Sequence, residues 1–354
     1  MLTSGAHWDF LLAFAVVLIA LPLFIRFAPA LGLLDSPDDR KDHSGNVPMV
    51  GGLAVFLGVL VALGLGHWNE PGTREMLASG LLLLAIGVVD DRSHTHPRYR
   101  FLVQIIASAL MIFGAGVLLL DFGRLLGPFS LPLGWLAIPV TVFCVVGVTN
   151  ATNMIDGMDG LSASLVLVAL AALGISAALQ GISAAALPHV MVLGGAVAAY
   201  WLFNVRLPWR GRALAFFGDA GTLLLGFLLA WLLVEHSQGP GRIIAPVTAL
   251  WFFAVPLFDT VFLMIQRKLA GKSMVEADRR HLHHAFLRSG RSVNVTLLAM
   301  VLLAALMAGA GLAMEVLAVP EYWRFYAFLL VSGVYYLAMS RSWRSKRFFG
   351  RLIQ

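Results

Sequence analysis

Five aspartates and three histidines stand out in a chain with little other charge. Asp90 and Asp91 are adjacent in GVVDD (87–91), Asp156 and Asp159 punctuate NATNMIDGMDGLS (150–162), and Asp219 sits in FFGDAG (216–221). His281, His283 and His284 fall in ADRRHLHH (277–284). Side by side at membrane depth, Asp90 and Asp91 repel each other. A bound divalent cation removes the repulsion, and Mg²⁺ prefers carboxylate oxygens together with waters and substrate phosphates. The competing reading of the pair alone is a solvated helix cap with Arg92 as partner. The recurrence of Asp156, Asp159 and Asp219 at the same depth favours a metal–phosphate site.

Asp156 and Asp159 are three apart, so a helical turn would put them on one face. Gly157 and Gly160 allow a sharp turn and close approach of a ligand. Asn150 and Asn153 add donors that a carboxylate lacks, and donors with acceptors on one patch suit a nucleotide's base and ribose. An Asx-rich turn capping the next helix is the alternative. Asp219 reads as a helix N-cap or as a metal ligand held by that helix start. The HxHH spacing is a weak zinc signal, and Arg280 with His281, His283 and His284 better fits diphosphate and sugar recognition. Lys41 and His43, beside Arg40, are phosphate candidates or simply loop charge.

These residues need elements to position them, and the composition says which. Of 354 residues, 59% are hydrophobic and 12% charged, against about 25% charged in soluble domains. Mean hydropathy is +0.85, so most of the chain belongs in lipid. One cysteine, Cys144, excludes an internal disulfide. The net charge of +6 fits basic loops facing anionic lipid rather than nucleic acid. The first apolar run follows MLTSGAHWDF, which lacks a basic leader, and reads as a retained helix.

A crossing helix needs about 20 apolar residues. Apolar runs near 8–28, 48–66, 74–89, 101–120, 135–152, 160–180, 187–204, 219–235, 244–266, 295–313 and 322–339 then predict an all-α polytopic membrane protein of about eleven spans. One set of loops with the C-terminal tail holds 20 of the 25 Lys and Arg residues, while the opposite loops hold only Arg74, Arg124, Arg242 and Arg324. The positive-inside rule therefore predicts the N-terminus outside and the C-terminus cytoplasmic. All the acidic and histidine motifs fall on the cytoplasmic side. The expected organisation is a single transmembrane domain over 1–354, a cytoplasmic recognition loop at 267–294, and a basic tail at 340–354.

In order along the chain, LGLLDSPDDRKDHSGNVPMVGG (31–52), GVVDD, NATNMIDGMDGLS, FFGDAG, PLFDT (256–260) and DRRHLHH (278–284) resemble the polyprenyl-phosphate N-acetylhexosamine-1-phosphate transferases (glycosyltransferase 4 family). The HLHH run is similar to the HxHH of the WecA-like branch, and the histidine-then-acid run of the MraY branch is absent. The resemblance implies transfer of N-acetylglucosamine 1-phosphate, or a related sugar phosphate, from a UDP-sugar to undecaprenyl phosphate with UMP leaving. That is a first membrane step of a cell-envelope polysaccharide such as O-antigen, in the bacterial inner membrane. It implies Mg²⁺, with Mn²⁺ as a substitute. It implies catalytic roles for Asp90, Asp91, Asp156 and Asp159, and metal ligation by Asp219, Asp91 and Asp156. Substrate contacts fall to Asn150, Asn153, Arg280, His281, His283, His284, Lys41 and His43. Asp259 of PLFDT also matches a family position, with a structural role equally open. A phospho-MurNAc-pentapeptide transferase of the same superfamily, or a transporter or flippase, are the alternatives. The expected partners are the two substrates and the bilayer, with no nucleic acid. The sequence leaves a homodimer open.

Overall fold

The computed structural model describes residues 4–35, 45–271 and 280–344. Helices form over the apolar runs: α1 Ser4–Leu31, α2 Gly51–Gly66, α3 Thr73–Ser93, α4 Pro97–Ala109, α5 Ala137–Ile155, α6 Leu161–Leu179, α7 Pro188–Asn204 and α8 Gly218–Glu235. They continue with α9 Pro246–Phe252, α10 Ala254–Leu269, α11 Leu282–Arg288, α12 Val293–Val316 and α13 Glu321–Arg344. Two short antiparallel strands, β1 Leu34–Asp35 and β2 Val47–Pro48, make the one small sheet among the described residues. Among the described residues, five helices are long and apolar enough to cross a membrane, or six if the bent pair α9–α10 is one span. Large apolar side chains such as Ile19, Phe143 and Leu330 face outward, where lipid would cover them. The protein is a multi-pass membrane protein.

α8 is the axis of the bundle, with 83% of its apolar window buried. It packs against α3, α5 and α2. An apolar helix without a polar face belongs in such a core position. Close approach is set by small residues. A Cβ at Gly87 of α3 would lie 2.2 Å from the Ala220 Cα of α8, and one at Gly52 of α2 would lie 2.5 Å from the backbone of Gly221. These contacts pin the start of α8 to its neighbours at the level of the acidic motifs.

Two predicted segments differ. The run at 101–120 stays helical only to Ala109, adds one π turn over Leu110–Gly114, and then leaves the helix at Gly116, which has φ +72°. The run at 244–266 is broken at Phe253, and its halves are bent by 81°. Pro256 explains the break, because its ring would collide with the carbonyl of Phe252 in a continuous helix. The 267–294 segment is not all loop: it contains the end of α10, all of α11 and the first two residues of α12.

Candidate functional site

Asp91 joins α3 to α8. Its Oδ1 accepts the backbone N–H of Asp219 at 2.7 Å, and its Oδ2 accepts that of Ala220 at 3.1 Å. First-turn N–H groups have no acceptor within their own helix, so α8 takes one from α3. The carboxylate also lies at the positive end of the α8 dipole. Asp219 is thus inside the first turn of α8, and the capping carboxylate comes from Asp91 instead.

Asp90 turns away from its neighbour. Its Oδ1 accepts the Thr95 N–H and hydroxyl, each at 2.6 Å, and its Oδ2 accepts Arg100 Nη1 at 2.7 Å. The same Nη1 is 3.2 Å from Asp219 Oδ2. Arg100, at the first turn of α4, therefore bridges two of the acidic motifs. Asn153, near the end of α5, donates its amide to Asp219 Oδ1 at 2.5 Å and to Thr222 Oγ1 at 2.7 Å. Three motifs distant in sequence meet in one hydrogen-bonded group.

The turn after α5 differs from its expected geometry. Residues 156–160 are not helical, and Gly160 has φ +82°, so Asp156 and Asp159 do not share a face. Asp156 accepts the Ser162 hydroxyl at 2.5 Å. Asp159 accepts Arg206 Nε at 2.7 Å and the Ala213 N–H at 3.2 Å. Burial pushes the Asp156 carboxyl up to about 6; the Ser162 bond opposes this, and the charges of Asp159 and Asp219 add to it. The turn holds no Lys or Arg, yet Arg206 reaches Asp159 from the segment after α7. Arg100 and Arg206, which the sequence shows only among the basic residues of one set of loops, are the polar partners of these aspartates.

Asn150 lies one turn before Asn153 and donates instead to Gln104 Oε1 of α4 at 2.6 Å and to the Val146 carbonyl. The histidines close the site from another side. His283 is fully buried, and a Cβ at Gly157 would sit 2.5 Å from its Nε2. Only glycine fits there, so the histidine segment abuts the Asp156–Asp159 turn. Neither ring nitrogen of His283 finds a hydrogen-bond partner among the described residues. Burial, then the neighbouring His284 and His281, hold its pKa well below the usual histidine range, so it is neutral at pH 7. Its ring lies 5.4 Å from that of His281 and 4.2 Å from that of His284. Arg280 opens this segment, half-buried. Lys41 and His43 lie outside the described residues.

The donor chemistry fits a hard divalent cation: the side chains gathered around Asp219 offer carboxylate and amide oxygens and no thiolate. Among the described residues no three His, Cys, Asp or Glu side chains already stand close enough to hold a metal ion.

Residues 74–237 match the family described as glycosyl transferase family 4. The chain is 36% identical over 343 residues to the undecaprenyl-phosphate alpha-N-acetylglucosaminyl 1-phosphate transferase of Yersinia pestis, covering 97% of this chain and 92% of that one. The enzyme of the same name from Haemophilus influenzae is 36% identical over 345 residues, 97% of this chain and 95% of that one. The Salmonella typhi enzyme is 35% identical over 328 residues, 92% and 89% respectively.

Proposed function

The chain belongs to glycosyl transferase family 4, and from that premise we propose that it transfers N-acetylglucosamine 1-phosphate from UDP-N-acetylglucosamine to undecaprenyl phosphate. The reading places this end of the bundle at the cytoplasmic surface of the bacterial inner membrane, as the basic loops imply. There a lipid phosphate comes from the bilayer and a nucleotide sugar from the cytosol. The observation that carries it is the convergence of Asp90, Asp91, Asn153 and Asp219 on the start of α8, with the histidine segment seated on the Asp156–Asp159 turn.

In this reading an oxygen of the lipid phosphate attacks the phosphorus that bears the sugar. The bond from that phosphorus to the bridging oxygen breaks, and UMP carries the oxygen away. Asp219 and Asp156, with Asp91 behind them, would hold Mg²⁺, which neutralises phosphate charge when bound. The chain's own work is positioning and electrostatics. Arg100 holds Asp219 in place, Asn153 orients its other oxygen, and the histidines and Arg280 face the diphosphate and sugar. Each oxygen of Asp90 and Asp91 already accepts a hydrogen bond. Carboxylates so engaged are poor nucleophiles, which supports direct attack by the lipid phosphate over an aspartyl-phosphate intermediate.

The test is turnover of purified protein with UDP-N-acetylglucosamine, undecaprenyl phosphate and Mg²⁺, following UMP. Mg²⁺-dependent UMP release with lipid-linked sugar diphosphate is expected. Absence of UMP release with every UDP-N-acetylhexosamine tried would sink the proposal, and release with a different amino sugar alone would move the donor assignment.

A further inference from the structure

Asp259 is completely buried in α10. A carboxylate in such surroundings is costly unless its oxygens are satisfied. Here both are. Oδ2 lies 2.6 Å from His281 Nδ1, and Oδ1 accepts the Leu282 N–H at 2.9 Å and the Tyr335 hydroxyl at 2.8 Å. A carboxylate accepts and does not donate, so this pairing favours the His281 tautomer with its proton on Nδ1. The other ring nitrogen, Nε2, is then the atom left to meet a ligand.

We propose that Asp259 and Tyr335 are positioning residues that fix the orientation and proton placement of His281, and through it the whole histidine group. The link is continuous. Tyr335 of α13 holds Asp259, Asp259 holds His281 and the N–H of Leu282, His281 stacks on His283, and His283 is seated on Gly157. The last helix, which carries none of the site motifs, thereby sets the geometry of the acidic turn's facing wall. Only the kinetic part of this inference rests on the transferase reading. Carboxylates that lock metal-bound imidazoles in this way are worth about 10- to 100-fold in affinity or activity, and an effect at the low end of that range is expected here.

Two measurements on the full-length protein test it. The first needs no substrate: long-range ¹⁵N spectra of histidine-labelled protein, with the His281 signal identified by its loss in His281→Gln. Wild type should show a protonated Nδ1, and Asp259→Asn and Tyr335→Phe should each shift that signal. A His281 signal that is unprotonated at Nδ1, or identical in wild type and both variants, overturns the pair. The second is kinetic. Tyr335→Phe, which keeps the ring packing, should raise KM for the nucleotide sugar about 10-fold and leave KM for the lipid phosphate unchanged. Adding Tyr335→Phe to His281→Gln should cost nothing further, because the tyrosine acts through that histidine. Additive losses, or equal effects on both KM values, would mean a merely structural role and overturn the proposal. If wild type turns over no nucleotide sugar, the transferase reading fails, and the spectra still decide the Asp259–His281–Tyr335 link.

Discussion

The two ends of α8 both gather acidic side chains, and they treat them differently. The ends are about 27 Å apart, at 1.5 Å per residue over the 18 residues of the helix. At its start, Asp90, Asp91 and Asp219 are held by a guanidinium, by backbone N–H groups and by an amide at 2.5–3.2 Å. At its end, Glu235 Oε2 stands 3.8 Å from both His189 Nδ1 and His236 Nδ1. Glu235 Oε2 and His236 Nε2 are buried with no hydrogen-bond partner among the described residues, beside a cavity of about 240 Å³. Burial, then the nearby His189, lower the His236 pKa to about 4, so it is neutral at pH 7. The comparison separates polar burial from preorganisation. Groups aimed by fixed donors can stabilise developing charge without reorganising, and groups set at slack distances cannot.

The sharpest way to break the comparison is a matched pair of substitutions. Asp219→Asn is expected to lower UMP release about 1,000-fold with an unchanged unfolding midpoint, while His236→Gln at the far end leaves turnover unchanged. Near-normal turnover in Asp219→Asn would remove that residue from the reaction. Equal losses from both would erase the distinction between the ends. A smaller effect is expected for Asp91→Ala, which strands two N–H groups of α8 at the α3 junction. The loss should be about 1–3 kcal/mol, read as a lower denaturation midpoint in detergent. An unaltered midpoint would show that α8 does not depend on this cap.

The gentlest probe is pH. The Asp156 carboxyl rises from its ordinary 3.8 to about 6 in the fold. Between those values the folded state binds more protons than the unfolded chain, so its stability falls as pH rises through that window. The destabilisation is complete above about 6. In EDTA, wild type should therefore lose stability relative to Asp156→Asn from pH 4 to 6.5, and then run parallel to it. Parallel curves throughout would show that Asp156 is not forced into an unfavourable ionisation.

The apolar runs made most helices legible, because a chain in lipid must satisfy its backbone within each segment. The break at Phe253 was legible in principle from Pro256. The π turn and exit at Gly116 were not, since they depend on what the backbone meets after Ala109. Within the site, the residue types were readable and their partners were not. Arg100 and Arg206 look like any loop arginine until the fold brings them to Asp90, Asp219 and Asp159. Asp156 and Asp159 have helical spacing, but the positive φ at Gly160 sends them to different neighbours.

The sequence by itself determined that this is a helical membrane protein with acidic and histidine motifs in a family-specific order. Hydropathy, charge asymmetry and residue type are local properties that each segment carries alone. Tertiary structure decided which carboxylate caps α8, which arginine serves which aspartate, and that Tyr335 of the last helix reaches Asp259. Those outcomes depend on close approaches that only the missing side chains of Gly87, Gly52 and Gly157 permit, and no single segment encodes where its neighbour will stand.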